Sequence, residues 1–391
     1  MNPEGSPATH PPSTSIRDAT HDVIRFYPEV RSVHFERASE MAPGLTLYLK
    51  RRADFDEALA ANRPDFLSGT LREIIRRVLV SRPRVLEVPE PLWFRYWPHT
   101  MILLIALRLA SGSRRREISV VTYAIENSTP DRLPRRLATL PPALWRTISR
   151  ILARGHLRHV DRIAFGTSGA RQALITTAGL GALQDDHLQT RIIEALPTRC
   201  ACTSPSEERT DSVVFVTSLE QRKGLDTLLE AWPAVVAARP TAMLHIAGSG
   251  PLEGATATAS ATYPSIVFHG LVGRETVHSL YRHARVSVLP SRPSGRWREQ
   301  VGLPIVEGIS HGTSIVTTAE TGLARWLTQH GQHVLTELTP RALATAIIEA
   351  LAVPAPRYAL PLADGRILAD GWLIGRAPGV FTPPKDGVAV L

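Results

Sequence analysis

The segment Glu299-Gln-Val-Gly-Leu-Pro-Ile-Val-Glu307 places two carboxylates eight positions apart, with a glycine and a proline between them. Proline is favoured in the first turn of a helix, where its missing N–H costs nothing, so a helix is predicted to begin near Pro304. Gly302 allows the backbone to come close to a ligand, and the free N–H groups of the helix start form a phosphate site. The pattern predicts Glu299 on the loop before the helix and Glu307 about one turn inside it. The alternative is an ordinary amphipathic helix with a solvated glutamate.

Short β-rich runs alternate with helical patterns on both sides of this segment. Because the connections are short, the alternation predicts a parallel, doubly wound α/β sheet. Arg222 and Lys223 fall in the loop after the first run, at the carboxyl edge of the sheet, where open α/β sheets bind ligands. The predicted strands are Val213–Val216, Ala242–Ala247, Ile266–Gly270, Val286–Pro290, Ser314–Thr317 and Val334–Glu337.

Four elements of this half resemble the donor domain of the family 4 (group 1) retaining glycosyltransferases, which have the GT-B fold. The family's Gly-Arg-Leu-x-x-x-Lys-Gly loop corresponds to Thr217–Gly224, and its Gly-x-Gly-Pro turn corresponds to Gly248–Pro251. Its Phe-x-Gly strand end falls at Phe268–Gly270. Its Glu-(seven residues)-Glu element, running into Glu-Ala-Met-Ala-x-Gly, falls at Glu299–Gly312. The resemblance covers residues 211–353 and implies two Rossmann-like, doubly wound domains that face a cleft.

The resemblance also implies roles for individual residues. Lys223 is expected to bind the donor diphosphate, Glu299 to face the transferred sugar, and Glu307 to hydrogen-bond the ribose. The backbone of Gly270 to Val272 is expected to meet the nucleotide base. Further donor contacts are implied for Ser218, Gly250, Gly302 and Leu303.

One departure from the family concerns a phosphate-binding cation. The glycine and arginine that precede the leucine in the family are Thr217 and Ser218 here. Arg222, or an arginine in the loop Arg292–Arg298, is the candidate to supply that charge, and we assign Arg222 to the catalytic set with Lys223 and Glu299. Fixed cations and helix N–H groups aimed at the leaving phosphate stabilise the charge that develops on it, so neither a metal nor a cofactor is expected. The resemblance implies retention of the anomeric configuration.

Length and cysteine content limit the architecture. The chain has 391 residues, enough for two domains, and a hydrophobic content of 43% that is ordinary for a globular protein. Cys200 and Cys202 are the only cysteines, which excludes a disulfide framework, and they are predicted to be free thiols rather than metal ligands. The predicted segments are a disordered tail at 1–20, an acceptor-side Rossmann-like domain at 21–200, a linker at 201–211, a donor domain at 212–354 and an irregular tail at 355–391.

The whole formal net charge of +9 lies in residues 1–200. Arginines at every fourth position predict a basic stripe along a helix at 144–158; they are Arg146, Arg150, Arg154 and Arg158. Such a helix either lies on an anionic membrane surface or packs on the sheet with a solvated arginine face. Binding to nucleic acid is not predicted, because no RNA- or DNA-binding motif accompanies the sequence pI of about 10.1. Without a secretory signal or a long apolar run, a cytoplasmic location is expected, with a peripheral place at the inner membrane face as the alternative.

The amino-terminal half has the pattern of a second α/β domain. Its predicted strands are Val33–Phe35, Leu45–Leu49, Val85–Val88, Ile118–Tyr123 and Asp161–Phe165. Residues in the loops that follow two of these strands are candidates for an acceptor wall; they are Glu90, Trp93, Glu126 and Asn127. The family's glycine-rich loop and acceptor histidine have no counterpart here.

These patterns predict a glycosyltransferase that uses a UDP- or GDP-linked sugar and a glycan, lipid-linked or natural-product acceptor. The alternative is a non-catalytic protein that binds nucleotide sugars or glycans and has kept the fold. Thr217, Ser218 and the missing acceptor histidine favour that alternative. Release of free nucleoside diphosphate separates the two hypotheses.

Overall fold

The computed structural model describes residues 21–52, 63–111, 118–129, 141–202, 209–295, 297–354, 358 and 360–375. The predicted tail at 1–20 and most of the predicted linker at 201–211 lie outside these ranges. Among the described residues, no helix has both the length and the apolar character needed to cross a bilayer.

The elements alternate between strand and helix through most of the chain. The strands are β1 (Val23–Val30), β2 (Leu45–Arg51), β3 (Phe66–Ser68), β4 (Val85–Glu87), β5 (Ser119–Ala124), β6 (Arg162–Phe165), β7 (Gln189–Ile192), β8 (Ser212–Val216), β9 (Met243–Ala247), β10 (Ile266–Gly270), β11 (Val286–Leu289), β12 (Ser314–Thr318) and β13 (His333–Leu335). The helices are α1 (Ser32–Ala38), α2 (Leu71–Ser81), α3 (Trp97–Ser111), α4 (Pro142–Leu157), α5 (Ser168–Ala178), α6 (Leu225–Ala238), α7 (Glu253–Thr262), α8 (Arg274–His283), α9 (Leu303–His311), α10 (Ala324–Gln329), α11 (Pro340–Ala352) and α12 (Gly365–Leu373).

The strands form two sheets, of seven and six strands. The chain divides into two compact units, residues 1–88 with 99–119 and residues 89–98 with 120–391. In the first unit the strand order is β3-β2-β1-β4, and each pair is parallel. In the second unit β5, β6 and β7 pair in parallel. The strands that follow them in the chain, β8 to β13, form the six-stranded sheet.

The central strand of the first unit was not expected. The sequence predicts a strand at Val33–Phe35, but these residues belong to α1, and the strand is β1. Pro28 interrupts the β1 pattern, since it cannot donate a hydrogen bond to a neighbouring strand. Arg25 interrupts it again with a charge. That charge is buried, pairs with Glu87 at 3.5 Å and donates a hydrogen bond to the Ala42 carbonyl at 3.0 Å.

The six-stranded sheet has the order β10-β9-β8-β11-β12-β13. Every pair is parallel. When the strands are numbered in chain order, their order across the sheet is 3-2-1-4-5-6, as in dinucleotide-binding folds. Its strands read as near-continuous apolar runs because helices cover both faces. Val213, Leu244 and Val286 are fully buried with Trp232 of α6. The sequence predicted all six strands to within two residues at each end, and the prediction of an α/β fold is confirmed.

A helix is present where the sequence predicts an irregular tail. Helix α12 begins at Gly365, whose N–H donates to the Leu196 carbonyl at 2.8 Å. A side chain at that position would lie 2.0 Å from the Glu194 carbonyl oxygen, so the close approach requires glycine. At the other end, Arg162 of β6 donates to the Leu373 carbonyl at 2.9 Å. Residues 376–391 lie outside the described ranges.

Candidate functional site

The loop between β8 and α6 is shaped by close backbone contacts. A single turn of 3-10 helix, Gln221–Lys223, ends at Gly224, which has a φ of 76°. A Cβ on Gly224 would lie 2.1 Å from the Pro290 carbonyl oxygen, so only glycine fits between the two loops. The Lys223 N–H donates to the Glu220 carbonyl at 3.0 Å. This turn carries Lys223 to the carboxyl end of the sheet, as the sequence predicts.

Lys223 and Glu299 form a buried ion pair. The Lys223 Nζ lies 2.6 Å from Glu299 Oε2, and the two residues are 7% and 8% exposed. Ser291 donates its hydroxyl to the same carboxylate oxygen at 3.1 Å. An ammonium has three hydrogen-bond donors, and an ionised carboxylate has about four acceptor positions. The pair therefore retains donor and acceptor capacity for a ligand.

Two cations share the face of one tryptophan. The Arg222 guanidinium carbon lies 4.0 Å from the centre of the Trp297 ring, and the Lys223 Nζ lies 4.8 Å from it. Arg222 also forms a bidentate pair with Glu220, at 2.7 and 2.8 Å. That pairing holds the pKa of Glu220 below its usual range, with a further contribution from the Ser218 hydroxyl. Arg222 is thus oriented by its partners beside Lys223.

Two arginines of the loop between β11 and α9 also have acidic partners. Arg292 pairs with Asp226, and its Nε donates to the Gln221 carbonyl at 2.8 Å. Arg298 pairs with Glu320 at 3.0 Å. Arg296 lies outside the described residues. Arg222 is the arginine that shares an aromatic ring with Lys223, and this placement favours it as the second cation.

Helix α9 begins where the sequence predicts. Gly302 caps it with a φ of 88°, Pro304 is in its first turn, and Leu303 is exposed at its start. Glu299 lies on the loop before the helix, and Glu307 lies just over one turn inside it. Burial raises the pKa of Glu307, while Arg274 acts in the opposite direction. A partly desolvated carboxyl is suited to hydrogen bonding with sugar hydroxyls.

The other predicted donor residues occupy turns at strand ends. Gly250 has a φ of 153°, and a Cβ there would lie 2.8 Å from the Leu219 carbonyl oxygen. Gly270 ends β10 with a φ of 66° and accepts a hydrogen bond from the Gly248 N–H at 2.8 Å. Val272 is half-buried in the loop that leads to α8. These positions share the carboxyl edge of the six-stranded sheet with Lys223.

The candidate acceptor residues belong to the same compact unit. Glu90 is buried and accepts hydrogen bonds from the N–H groups of Ile125 and Glu126, at 3.0 and 2.9 Å. Burial, together with the nearby Glu126 carboxylate, raises the pKa of Glu90 to about 8. Trp93 packs on Tyr96, with ring centres 5.7 Å apart. Glu90 is therefore held by the loop that follows β5, whereas Trp93 is held within its own loop.

Glu126 and Asn127 contact the loop that carries Glu299. Gln300 donates its side-chain amide to Glu126 Oε2 at 2.9 Å. Asn127 Nδ2 donates to the backbone carbonyls of Glu299 and Glu320, at 2.9 and 3.1 Å. The Gly322 N–H donates to the same Glu299 carbonyl at 3.2 Å. The two predicted acceptor-side residues thus position the backbone next to the Lys223–Glu299 pair.

Three residues of this site were missed in the sequence. Trp297, Ser291 and Gln300 lie in the loop between β11 and α9 and contact the predicted residues directly. Their position within nine residues of Glu299 was the available signal, because the side chains of a loop entering a ligand-binding helix converge on the same site. The arrangement brings together an ammonium, a guanidinium, an aromatic face and a carboxylate at the start of a helix, which suits a diphosphate joined to a sugar.

Comparison with known proteins gives matches in the second half of the chain. Residues 210–352 match the model of a family described as glycosyl transferases group 1. A GDP-mannose-dependent monoacylated α-(1-6)-phosphatidylinositol monomannoside mannosyltransferase of Corynebacterium glutamicum is 31% identical over 118 residues, which is 27% of this chain and 31% of that protein. An uncharacterized glycosyltransferase of Methanocaldococcus jannaschii is 33% identical over 115 residues, which is 28% of each chain. The chain thus aligns with about a third of the length of these curated relatives.

Solved structures share the fold over most of the chain. HepE of Anabaena, in complex with UDP, superposes with a TM-score of 0.57 at 14% identity, covering 90% of this chain and 95% of HepE. The apo form of the lipopolysaccharide outer core galactosyltransferase WaaB gives a TM-score of 0.55 at 12% identity, covering 84% and 90%. At these identities the similarity shows the fold alone. The chain has the two-domain, Rossmann-like GT-B fold, and its residues 210–352 match the family model of the group 1 glycosyltransferases.

Proposed function

We propose that the protein is a retaining glycosyltransferase that moves a sugar from a UDP- or GDP-linked donor to an acceptor. The observation that carries this proposal is the buried contact between Lys223 and Glu299 at the carboxyl edge of the six-stranded sheet. An open α/β sheet binds its ligands at that edge. The match of residues 210–352 to the group 1 family and the UDP held by HepE support a nucleotide-sugar donor.

The diphosphate is bound by the two cations. One N–H of the Lys223 ammonium remains on Glu299 while the others meet phosphate oxygens, since the ammonium has three donors. Arg222 supplies the second positive charge, and the start of α9 supplies backbone N–H groups. These groups stabilise the negative charge that grows on the leaving diphosphate as the sugar–phosphate bond breaks.

The sugar and ribose are held by carboxylates. Glu299 accepts hydrogen bonds from hydroxyls of the transferred sugar, with its orientation fixed by Lys223 and Ser291. Glu307 accepts them from the ribose, and the backbone near Gly270 and Val272 contacts the base. Gly302 and Gly250 allow the backbone to approach the donor closely.

The acceptor attacks from the face that the diphosphate leaves, and the leaving phosphate takes the acceptor proton. This route retains the anomeric configuration and uses fixed protein charges at the diphosphate. We expect added Mg²⁺ or Mn²⁺ to leave the turnover rate unchanged, because Lys223, Arg222 and the helix start already supply the positive charge.

We propose a lipid-linked acceptor as one that fits the charge of the chain. Helix α4 presents Arg146 and Arg150 to solvent, and Leu144 and Ile151 of the same helix are 46% and 63% exposed. Arginines beside exposed apolar side chains are typical of helices that lie on anionic membrane surfaces. The related mannosyltransferase of Corynebacterium glutamicum acts on a phosphatidylinositol mannoside, as its name states.

A donor screen tests the proposal. The purified protein is incubated with UDP-, GDP-, ADP- and TDP-linked sugars, and free nucleoside diphosphate and product are measured with and without lipid extracts. We expect diphosphate release with one of these donors and a product that keeps the donor's anomeric configuration by NMR. Binding of a donor without any release, with every acceptor fraction supplied, would instead identify a nucleotide-sugar-binding protein.

A further inference from the structure

Four side chains of types that can bind a metal meet at the carboxyl end of helix α9, opposite its start. They are Cys200 and Cys202 of the segment before β8, His278 of α8, and His311 at the end of α9. Their ligand atoms all lie within 4.8 Å of one another. Three separate parts of the chain contribute these residues, so their spacing in the sequence carries no recognisable ligand pattern.

Most of the distances between these atoms are close to those of a tetrahedral site. Zinc binds thiolate sulfur at about 2.3 Å and imidazole nitrogen at about 2.0–2.1 Å, so the atoms at the corners of the tetrahedron lie roughly 3.3–3.8 Å apart. The Cys202 Sγ is 3.3 Å from His311 Nε2, and the Cys200 Sγ is 3.4 Å from His278 Nδ1. The two imidazole nitrogens are 3.2 Å apart and the Cys202 Sγ is 3.8 Å from His278 Nδ1, whereas the two sulfurs, at 2.9 Å, lie closer together than they would around zinc.

The surroundings of His311 prepare it as a ligand. Its Nδ1 lies 2.7 Å from the Glu307 carbonyl oxygen, which can only accept, so the ring carries its proton on Nδ1. The lone pair of Nε2 then points at Cys202 and His278. A backbone carbonyl on the distal nitrogen is the usual partner of a metal-bound imidazole. The ring is buried and stacks on Tyr281, with centres 5.4 Å apart, which fixes its plane.

The backbone holds the cysteine segment against the same helix. The Cys200 N–H donates to the Ser310 carbonyl at 2.9 Å. This contact lies at the carboxyl end of α9, where the helix dipole favours a positive charge. Cys200 and Cys202 are both half-buried free thiols, and no disulfide joins them.

We propose that Cys200, Cys202, His278 and His311 bind one Zn²⁺ ion in a closed, four-coordinate structural site. Two thiolates and two imidazoles in tetrahedral array are the donor set of structural zinc. Binding releases the two thiol protons to solvent, so the ion adds two positive charges against two thiolates and the site is neutral. No electron transfer is involved.

The site links the segment before β8 to α8 and α9. Helix α9 is the one that starts at Gly302 and carries Glu307, and its last residue is the ligand His311. A structural ion at that end fixes the axial position of the helix. The proposal does not depend on the reaction catalysed, because the ligands are set by geometry and not by the donor site.

The test uses the full-length protein, purified without a polyhistidine tag and under argon. Elemental analysis is expected to find about one zinc per chain, and replacement of zinc by Co²⁺ is expected to give the d–d bands of tetrahedral cobalt with a thiolate-to-cobalt charge-transfer band. Cys202→Ser and His278→Ala are expected to lose the metal. His283→Ala is the matched control on α8, since His283 is exposed and lies 2.8 Å from the Ser279 carbonyl.

Two results would overturn the proposal. One is a wild-type protein that contains no metal and takes up neither Zn²⁺ nor Co²⁺, with Cys200 and Cys202 found joined by a disulfide in the mass spectrum. The other is a His283→Ala variant that loses zinc as fully as His278→Ala does, because the loss would then reflect damage to the helix. The wild-type measurements do not depend on the variants, so the test remains decisive even if a variant fails to fold.

Discussion

The Lys223 Nζ and Glu299 Oε2 are 2.6 Å apart in a nearly dry environment, although 76 residues separate them in the chain. The pair joins the β8–α6 loop to the loop that enters α9. Removal of one member of a buried pair leaves the other charge without compensation, which is more costly than removal of both. The energetic role of the pair in folding can therefore be separated from its role in binding.

We predict that Lys223→Met lowers turnover by about 100- to 1,000-fold, the usual effect of losing one group that stabilises the transition state. The same change should destabilise the protein by about 3–5 kcal/mol, since Glu299 is left buried and unpaired. The double variant Lys223→Met with Glu299→Gln should recover much of the stability and none of the activity. Denaturant unfolding and nucleoside diphosphate release measure the two effects separately.

Lys50→Met provides the matched control, because Lys50 is an exposed lysine on β2. This variant should leave both the turnover and the stability unchanged. Full activity in Lys223→Met would contradict the site assignment, whatever the stability of the variant.

The part of this site that lies on the six-stranded sheet was predictable because its signals are local. An apolar run that ends in a loop with glycine marks a parallel strand, and Gly302 with Pro304 marks the start of α9. The sequence therefore located Lys223 and Glu299 on two loops at one sheet edge. Strand β1 was missed because Arg25 and Pro28 break its apolar pattern, and only tertiary contacts, such as the pair with Glu87, make that pattern acceptable.

Contacts between distant segments were not predictable. Asn127 reaches the Glu299 carbonyl across 172 residues, and Cys202 reaches His311 across 109. Neither spacing has a local signature, since both depend on how the sheets and helices pack. The sequence accordingly gave Cys200 and Cys202 no role beyond that of free thiols, and a single sequence contains no information that would join them to His278.

We predict that Asn127→Ala lowers both stability and activity. The variant removes a donor from the part-buried carbonyls of Glu299 and Glu320, and the Glu299 carbonyl keeps its bond from the Gly322 N–H. The expected cost is therefore about 1 kcal/mol for each hydrogen bond lost. Asn127→Asp should be worse, because a carboxylate oxygen would then face both carbonyls. Turnover should fall because the Glu299 backbone loses an anchor, whereas donor affinity should change less. Measurement of kcat and KM for both variants checks the effect on turnover and donor affinity. Equal stability of the Ala and Asp variants would contradict the predicted order of stability.

The buried carboxyl of Glu90 should make stability depend on pH. Its pKa is about 8 in the folded protein, mainly through burial, and near 4.5 in the unfolded chain. Between these values the unfolded chain gives up a proton that the folded protein keeps, so stability falls as pH rises through that window. The loss from this one group is about 1.4 kcal/mol for each pH unit.

Glu90→Gln keeps a neutral group that can accept the N–H bonds of Ile125 and Glu126. We expect this variant to be close to the wild type at pH 5 and more stable than it at pH 8. Urea unfolding at the two pH values measures the difference. A constant gap between variant and wild type across that range would show that Glu90 is ionised in the folded state.

Helix α4 should bind anionic vesicles if the acceptor is a membrane lipid. An arginine near an anionic surface contributes about 1 kcal/mol, so the Arg146→Gln, Arg150→Gln double variant should bind such vesicles roughly 30-fold more weakly. Leu144→Ser with Ile151→Ser should weaken binding as well, because the exposed apolar side chains enter the interface.

The matched control is Arg72→Gln with Arg76→Gln, since these arginines are also four residues apart and exposed, on α2. Flotation with phosphatidylglycerol vesicles at low and high salt measures the effect, which should shrink as salt screens the charges. Equal losses in the α4 and α2 variants would show that only the net charge matters and would remove α4 as a membrane-binding face.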